Sequence, residues 1–342
     1  MSLPYTGQAL IDRVREQDTY AVKLFLAAGM KPDVLDNDGK TPLMHAVSTG
    51  NMENIEALLG AKANISRKDY YNWTALTHAV RSGSIEALQQ LLKHEPGDAI
   101  VKEAYLAAAK AGKVEAFKVL AKHGVADSSS GSQALLAAAS SHVASADEQA
   151  LNEIVKILLD QKVDIETKDD TGLTLMMLAC TSGRTTIVQT LLDRGAAVNS
   201  QCECPNYING GWTALLIAVN QEKKRIVNQL LDRGADVNSK NAMGDAAVHI
   251  AAKRGTQDVL TALLSKGADV NMRNAQGMTA LMVAAQEGKP EAARVLIERG
   301  AAVKEQDSRQ KSALEYALAR GNKDTQGIQI VQMLTAAGAE KP

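Results

Sequence analysis

Side chains able to do chemistry are few and scattered along this chain of 342 residues. Cys202 and Cys204 stand one residue apart, which invites a metal reading. A zinc site, however, needs four ligands and usually two to four residues between its paired cysteines. The histidines at 45, 78, 94, 123, 142 and 249 are not arranged to complete such a set, so neither a metal nor a cofactor is expected. Cys180 follows Ala179 in an apolar run and reads as a buried thiol. The chain has no Gly-rich phosphate loop ending in Lys-Ser/Thr, no nucleophile elbow and no metalloprotease helix motif. No catalytic residue is assigned, and the expectation is a protein that is not an enzyme.

What remains is aromatic. Only 2 Trp, 7 Tyr and 2 Phe are present, and five of these rings fall in two short segments, Tyr70-Tyr71-Asn72-Trp73 and Tyr207 to Trp212. Tyr and Trp are the side chains most enriched at binding hot spots, and one such ring buries about 200 Å². The plainer reading is that each ring packs within its own chain and stiffens it. Both readings stand at the level of sequence.

Charge narrows the classes of partner. Lys and Arg number 38 against 39 Asp and Glu, which leaves a net charge of -1 and no electrostatic excess for nucleic acid or an anionic membrane. No apolar run approaches the roughly 18–20 residues needed to span a bilayer. The first residues lack a signal-peptide pattern, and three cysteines cannot build a disulfide framework at this size. A cytoplasmic location is expected, or a periplasmic one if Met1-Ser2-Leu3 replaces a native leader.

The elements that must hold these rings follow a repeat. Apolar pairs recur at Leu58-Leu59, Leu91-Leu92, Leu158-Leu159, Leu191-Leu192, Leu230-Leu231, Leu263-Leu264 and Leu296-Ile297, mostly 33 residues apart. Gly211, Gly244 and Gly277 keep the same step, with Gln310 one further step along. A period of this length means stacked units, each touching only its neighbours: a solenoid. In Asp36-Asn37-Asp38-Gly39-Lys40-Thr41-Pro42-Leu43 the Asp and Gly suit a tight turn. Thr41 suits a helix N-cap and Pro42 the first helical position, where its missing N–H has no intrahelical partner. Leu43, Ala46 and Val47 follow at helical spacing, and Gly50 stops the helix. A second helix carries Ile55, Leu58 and Leu59 inward. Small residues such as Ala46, Ala79, Ala218, Ala251 and Ala284 recur where two helices must approach closely. The core is therefore expected to use Ala, Leu, Val, Ile and Met rather than rings.

Thr41-Pro42-Leu43, Thr74-Ala75-Leu76, Thr213-Ala214-Leu215 and Thr279-Ala280-Leu281, with Leu191-Leu192-Asp193-Arg194-Gly195-Ala196 and Leu263-Leu264-Ser265-Lys266-Gly267-Ala268, resemble the tokens of ankyrin-repeat proteins. The resemblance spans nearly the whole chain. It implies an all-α solenoid of antiparallel helix pairs with short β-hairpin fingers, the fingers and inner helices lining one concave face. About nine repeats are expected behind a degenerate N-terminal helix pair, forming a single domain over 1–342. Residues 1–35 are expected to cap one end and 306–342, with the polar stretch Lys323 to Gly327, the other. Over 98–166 the turn tokens fail, Asp127-Ser128-Ser129-Ser130-Gly131 reads as a flexible connection, and Ser140 to Gln149 reads as an inserted loop.

On this pattern Trp73 and Trp212 share one position, just before the capping Thr74 and Thr213, and face outward with Tyr70 and Tyr71. The candidate partner-binding residues are Tyr70, Tyr71, Trp73, Arg81, Tyr207, Trp212, Met243, Asp245 and Met278. Further equivalent positions are Asn37, Asp38, Lys40, Asp170, Arg254, Gln276, Arg309 and Lys311, whose mixed signs argue against a strongly charged target. The expected function is a monomeric, non-catalytic scaffold that binds a partner protein. The alternative is an inhibitor or immunity-type protein that blocks a partner enzyme in bacteria. Two glycosylation sequons, Asn64-Ile65-Ser66 and Asn72-Trp73-Thr74, read as accidental. His249 is expected to hydrogen-bond a turn, and His45 and His78 to pack on the inner helices.

Overall fold

The computed structural model describes residues 5–125, 127–143, 146–203, 210–321 and 324–339. Among these residues it contains twenty α-helices and no β-sheet. The chain divides into two compact units, Met1–Asp164 and Ile165–Pro342.

Within each unit, short helices alternate with turns in the way the repeat demands. Thr41, Thr74, Thr174, Thr213 and Thr279 are N-caps, and each hydroxyl accepts a hydrogen bond from the third amide of its helix at 3.3–3.4 Å. Each cap satisfies one of the N–H groups a helix start leaves without a partner, an effect worth about 1 kcal/mol per cap. The last cap of this type, Ser312, forms a full capping box with Glu315: the carboxylate accepts from the Ser312 amide at 2.7 Å while the Ser312 hydroxyl accepts from the Glu315 amide. Helix Ala247–Arg254 starts at Ala246, which has no capping oxygen. There His249 Nδ1 accepts from the Ala246 amide at 3.2 Å, and its Nε2 lies 3.1 Å from the Met278 carbonyl. This is the structural role expected of that histidine.

Ala46, Ala79, Ala218, Ala251 and Ala284 are all fully buried, so close helix approach explains the recurrent alanine. Rings are nevertheless not kept out of the core. Tyr105 and Phe117 are fully enclosed and stack with centroids 4.5 Å apart, and Phe25 is buried as well. The stacked pair belongs to helices Asp98–Ala111 and Val114–Leu120, where the repeat tokens are missing. The first of these has 14 residues against 8 in Ala75–Ser82 before it, and the ring pair supplies the apolar bulk beneath it. Burial pushes the Tyr105 hydroxyl up to about 12.

The serine stretch after residue 126 is a helix rather than a flexible connection. Asp127 caps Ser128–Ala139 by accepting from the Ser130 amide at 2.6 Å. Gly131 then lets that helix close on Val163, since a Cβ there would lie 2.9 Å from a Val163 methyl. The next helix, Glu148–Asp160, begins at the Asp147 cap.

The second unit carries isolated antiparallel bridges in place of strands: Lys168 with Thr174, Gln201 with Thr213, Lys240 with Ala246, Arg273 with Thr279 and Gln306 with Ser312. Its final helices, Ala313–Gly321 and Thr325–Ala336, meet backbone to backbone at Gly321 and Gly327, with Gln329 and Gln332 exposed. Lys323, in the polar stretch, lies outside the described residues.

Candidate functional site

Two turns of the first unit share one construction. In the turn beginning at Asp69, one carboxylate oxygen accepts from the amides of Tyr71 and Trp73, both at 2.9 Å. The other oxygen lies 2.9 Å from His78 Nε2 on the following helix. The turn beginning at Asp36 repeats this: Oδ1 accepts from Asp38 and Lys40 at 2.9 and 2.8 Å, and Oδ2 meets His45 Nε2 at 2.8 Å. Arg15 adds a donor to the same Oδ2 at 2.7 Å. One side chain thus shapes the turn and fastens it to the inner helix. In the second unit, Asp307 does the same with Arg309, Lys311 and the hydroxyl of Tyr316, which donates at 2.6 Å. The turn-to-helix partners always stand nine residues apart in these three cases. That spacing is present in the sequence, but residue type alone does not mark it as a bond.

The electrostatics follow from burial and these bonds. Burial pushes His78 below its ordinary value, with the Asp69 hydrogen bond opposing, and His45 is lowered for the same reason with Asp36 opposing. Asp36 responds in the other sense. Burial would raise it, but the Lys40 amide, the His45 ring and the Asp38 amide together outweigh burial and hold the carboxyl down. Ser48 Oγ lies 3.4 Å from His78 Nδ1, which completes a Ser–His–Asp line. Chemically it is a weak relay, because the Ser48 hydroxyl donates to the Met44 carbonyl of its own helix at 2.8 Å.

The aromatic residues rest on this frame. Trp73 is half-buried and meets His78 edge-on at 5.7 Å. Tyr71 stacks on Trp73 at 5.3 Å, and the Arg81 guanidinium lies 3.8 Å from the indole centroid. Tyr70 donates its amide to the Asp38 carbonyl of the preceding turn, and its ring covers Gly39 so closely that a Cβ there would sit 2.7 Å from a ring carbon. Intramolecular packing therefore accounts for one face of these rings. It leaves the other open: Tyr70 is 74% exposed and Tyr71 60% exposed. Asn72 sits between Tyr71 and Trp73 at a φ of 65°, where Gly39 stands in the preceding turn at 75°.

The remaining candidates lie in the second unit. Trp212 is half-buried, and its carbonyl accepts from the amide of Cys202 at 2.9 Å. Cys202 is buried and disulfide-bonded, and it occupies the turn position filled elsewhere by Asp or Asn. Tyr207 lies outside the described residues. Met243 is exposed, Asp245 accepts from Asn274 Nδ2 at 2.9 Å, and Met278 is buried. These three line an open depression of about 280 Å³ with His249, Arg309 and Tyr316, and Trp212 and Asp245 line a neighbouring one of about 410 Å³. Cys180 is fully buried and its thiol is pushed up by burial. Among the described residues, no group of three or more His, Cys, Asp or Glu is placed to hold a metal ion, and no helix is long and apolar enough to cross a membrane.

A comparison with curated proteins found no match. A family model described as ankyrin repeats (3 copies) matches residues 10–103, 141–241 and 248–342. It therefore covers most of the chain, including the turns and capped helices that carry both aromatic segments, and the chain belongs to the ankyrin-repeat family.

Proposed function

We propose that this protein is a non-catalytic scaffold that binds a partner protein through its turns and inner helices. Ankyrin repeats are generally protein–protein interaction modules and typically carry no catalysis. The single observation that carries the reading is the exposure of Tyr70 and Tyr71 on a turn whose geometry is fixed from below by Asp69. Large rings left open to solvent on a rigid support have little conformational entropy to lose when a partner covers them. The depressions beside Trp212, Met243 and Asp245 supply a second candidate contact area within the other unit.

The experiment is affinity capture from the native source with the wild-type chain and the Tyr70→Ala/Tyr71→Ala variant side by side. Both tyrosines are mostly exposed, so the variant keeps the fold, which its thermal midpoint checks. A partner held by the wild type and lost by the variant is the expected outcome. Equal retention by both proteins contradicts the reading.

A further inference from the structure

The cations around the first two turns differ in what they hold. Arg15 is paired with Asp36, Lys40 with Asp38 and Lys68 with Glu103. Arg81 is exposed, and its guanidinium makes no ion pair or hydrogen bond among the described residues. Its one fixed contact is the Trp73 ring, 3.8 Å from the central carbon to the ring centroid. Stacking on an indole holds a guanidinium in place through its flat face and leaves the N–H donors, which lie in its plane, directed outward. An arginine held this way has already lost much of its rotamer freedom, so less is lost when it captures an anion.

The support beneath is equally fixed. Trp73 is braced by the His78 edge and by Tyr71, and His78 is held by Asp69. The carboxylates that shape the two turns are committed: Asp69 is fully enclosed with its oxygens taken by the turn and the histidine, and Asp36 is taken by Arg15 and His45. Neither can turn outward to neutralise Arg81.

We propose that Arg81 receives the carboxylate of an Asp or Glu side chain on the partner protein, in a bidentate pair, while an apolar or aromatic residue beside that acid packs against Tyr71 and Tyr70. This rests on the protein-binding reading above and adds the chemistry of the partner. The planar fork matches a carboxylate, whose two oxygens accept parallel N–H donors, and the open tyrosine faces match an apolar neighbour. The site recognises an acid flanked by bulk rather than a highly charged strand, because Arg81 presents one guanidinium while Arg15, Lys40 and Lys68 around the same turns are already paired.

The test uses a random peptide library displayed on phage, panned against the full chain, with the enriched peptides then synthesised and titrated. Enriched sequences are expected to share an Asp or Glu next to Phe, Tyr, Trp or Leu. Arg81→Gln is expected to weaken binding by about 10- to 100-fold, and Arg81→Lys to recover only a small part of it, since a lysine keeps the charge without the fork. Replacing the peptide acid by its amide should cost the same factor with wild type and little more with Arg81→Gln. Thermal midpoints of both variants confirm folding. If Tyr70→Ala/Tyr71→Ala weakens binding while Arg81→Gln does not, the carboxylate proposal is overturned and the protein-binding reading stands. If neither weakens it, both fail at this surface. Failure to enrich any peptide, or enrichment of peptides without an acid that inorganic phosphate displaces, also overturns the carboxylate proposal.

Discussion

Asp69 and His78 stand nine residues apart, one in a turn and one on a helix, and are joined at 2.9 Å with the carboxylate fully enclosed. The same carboxylate holds the amides of Tyr71 and Trp73, so the exposed rings and the inner helix share one anchor. Removing the anchor should loosen both. Asp69→Ala is expected to cost about 2–3 kcal/mol, because two turn amides and a buried imidazole lose their acceptor together. Asp69→Asn should cost roughly 1 kcal/mol, since an amide oxygen can still shape the turn. Asn241 and Asn274 do so elsewhere in the chain. Urea unfolding of both variants checks the order, and equal losses would contradict it.

Stability should fall in mild acid. Burial lowers His45, His78 and His249, opposed by Asp36, Asp69 and Asp245 respectively. A histidine held below its unfolded value of about 6.5 contributes stability that is complete above that value. The contribution is lost as pH falls beneath it toward the folded-state value, because the unfolded chain binds the proton first. The urea midpoint is therefore expected to drop between about pH 7.5 and about pH 5.5. Asp36 and Asp307, held below their ordinary value, should add a second loss only in stronger acid, below about pH 3.9. A midpoint that is flat down to about pH 5 would contradict the histidine assignment.

Gly327 inverts a familiar rule. An exposed glycine inside a helix usually gains about 1 kcal/mol on replacement by alanine. Here the added Cβ would lie 2.6 Å from Gly321 Cα and 2.7 Å from the Arg320 carbonyl carbon, both backbone atoms that cannot swing aside. Gly327→Ala is expected to destabilise by about 1–3 kcal/mol, the usual cost of overpacking. A raised thermal midpoint would show that the two final helices do not pack this closely.

Asn54 is a buried polar residue whose amide nitrogen and oxygen both lack a partner among the described residues. Ala87 and Ala292 occupy the equivalent helix position and are equally enclosed. Asn54→Leu keeps the shape and removes two groups that are costly to bury, so it should stabilise by about 1–2 kcal/mol. Calorimetry of the variant settles the sign.

Much of this architecture is legible in the residues themselves. Thr41, Thr74, Thr213 and Thr279 announce helix starts because a hydroxyl at that position has one obvious use, and the recurrent alanines announce close packing. Sequence and structure part where composition and context compete. Ser128 to Gly131 looks like a linker by residue type, but the Asp127 carboxylate and the space beneath Val163 make it the first turn of a helix. Tyr105 and Phe117 sit where the repeat tokens vanish, so nothing periodic marked them as core. At the candidate site, the outward placement of Tyr70 and Tyr71 could be read from the repeat register. The support beneath them is harder to read: Asp69 and His78 repeat the nine-residue spacing of Asp36 and His45, but neither that spacing nor the eight positions from Trp73 to Arg81 says by itself which side chains meet.

The most direct measurement is hydrogen–deuterium exchange on the full chain with and without a captured partner. New protection is expected centred on residues 69–82, the turn that carries Tyr70, Tyr71 and Trp73 and the helix that carries Arg81. A partner that binds tightly and protects other segments while leaving this turn and helix unchanged would contradict it.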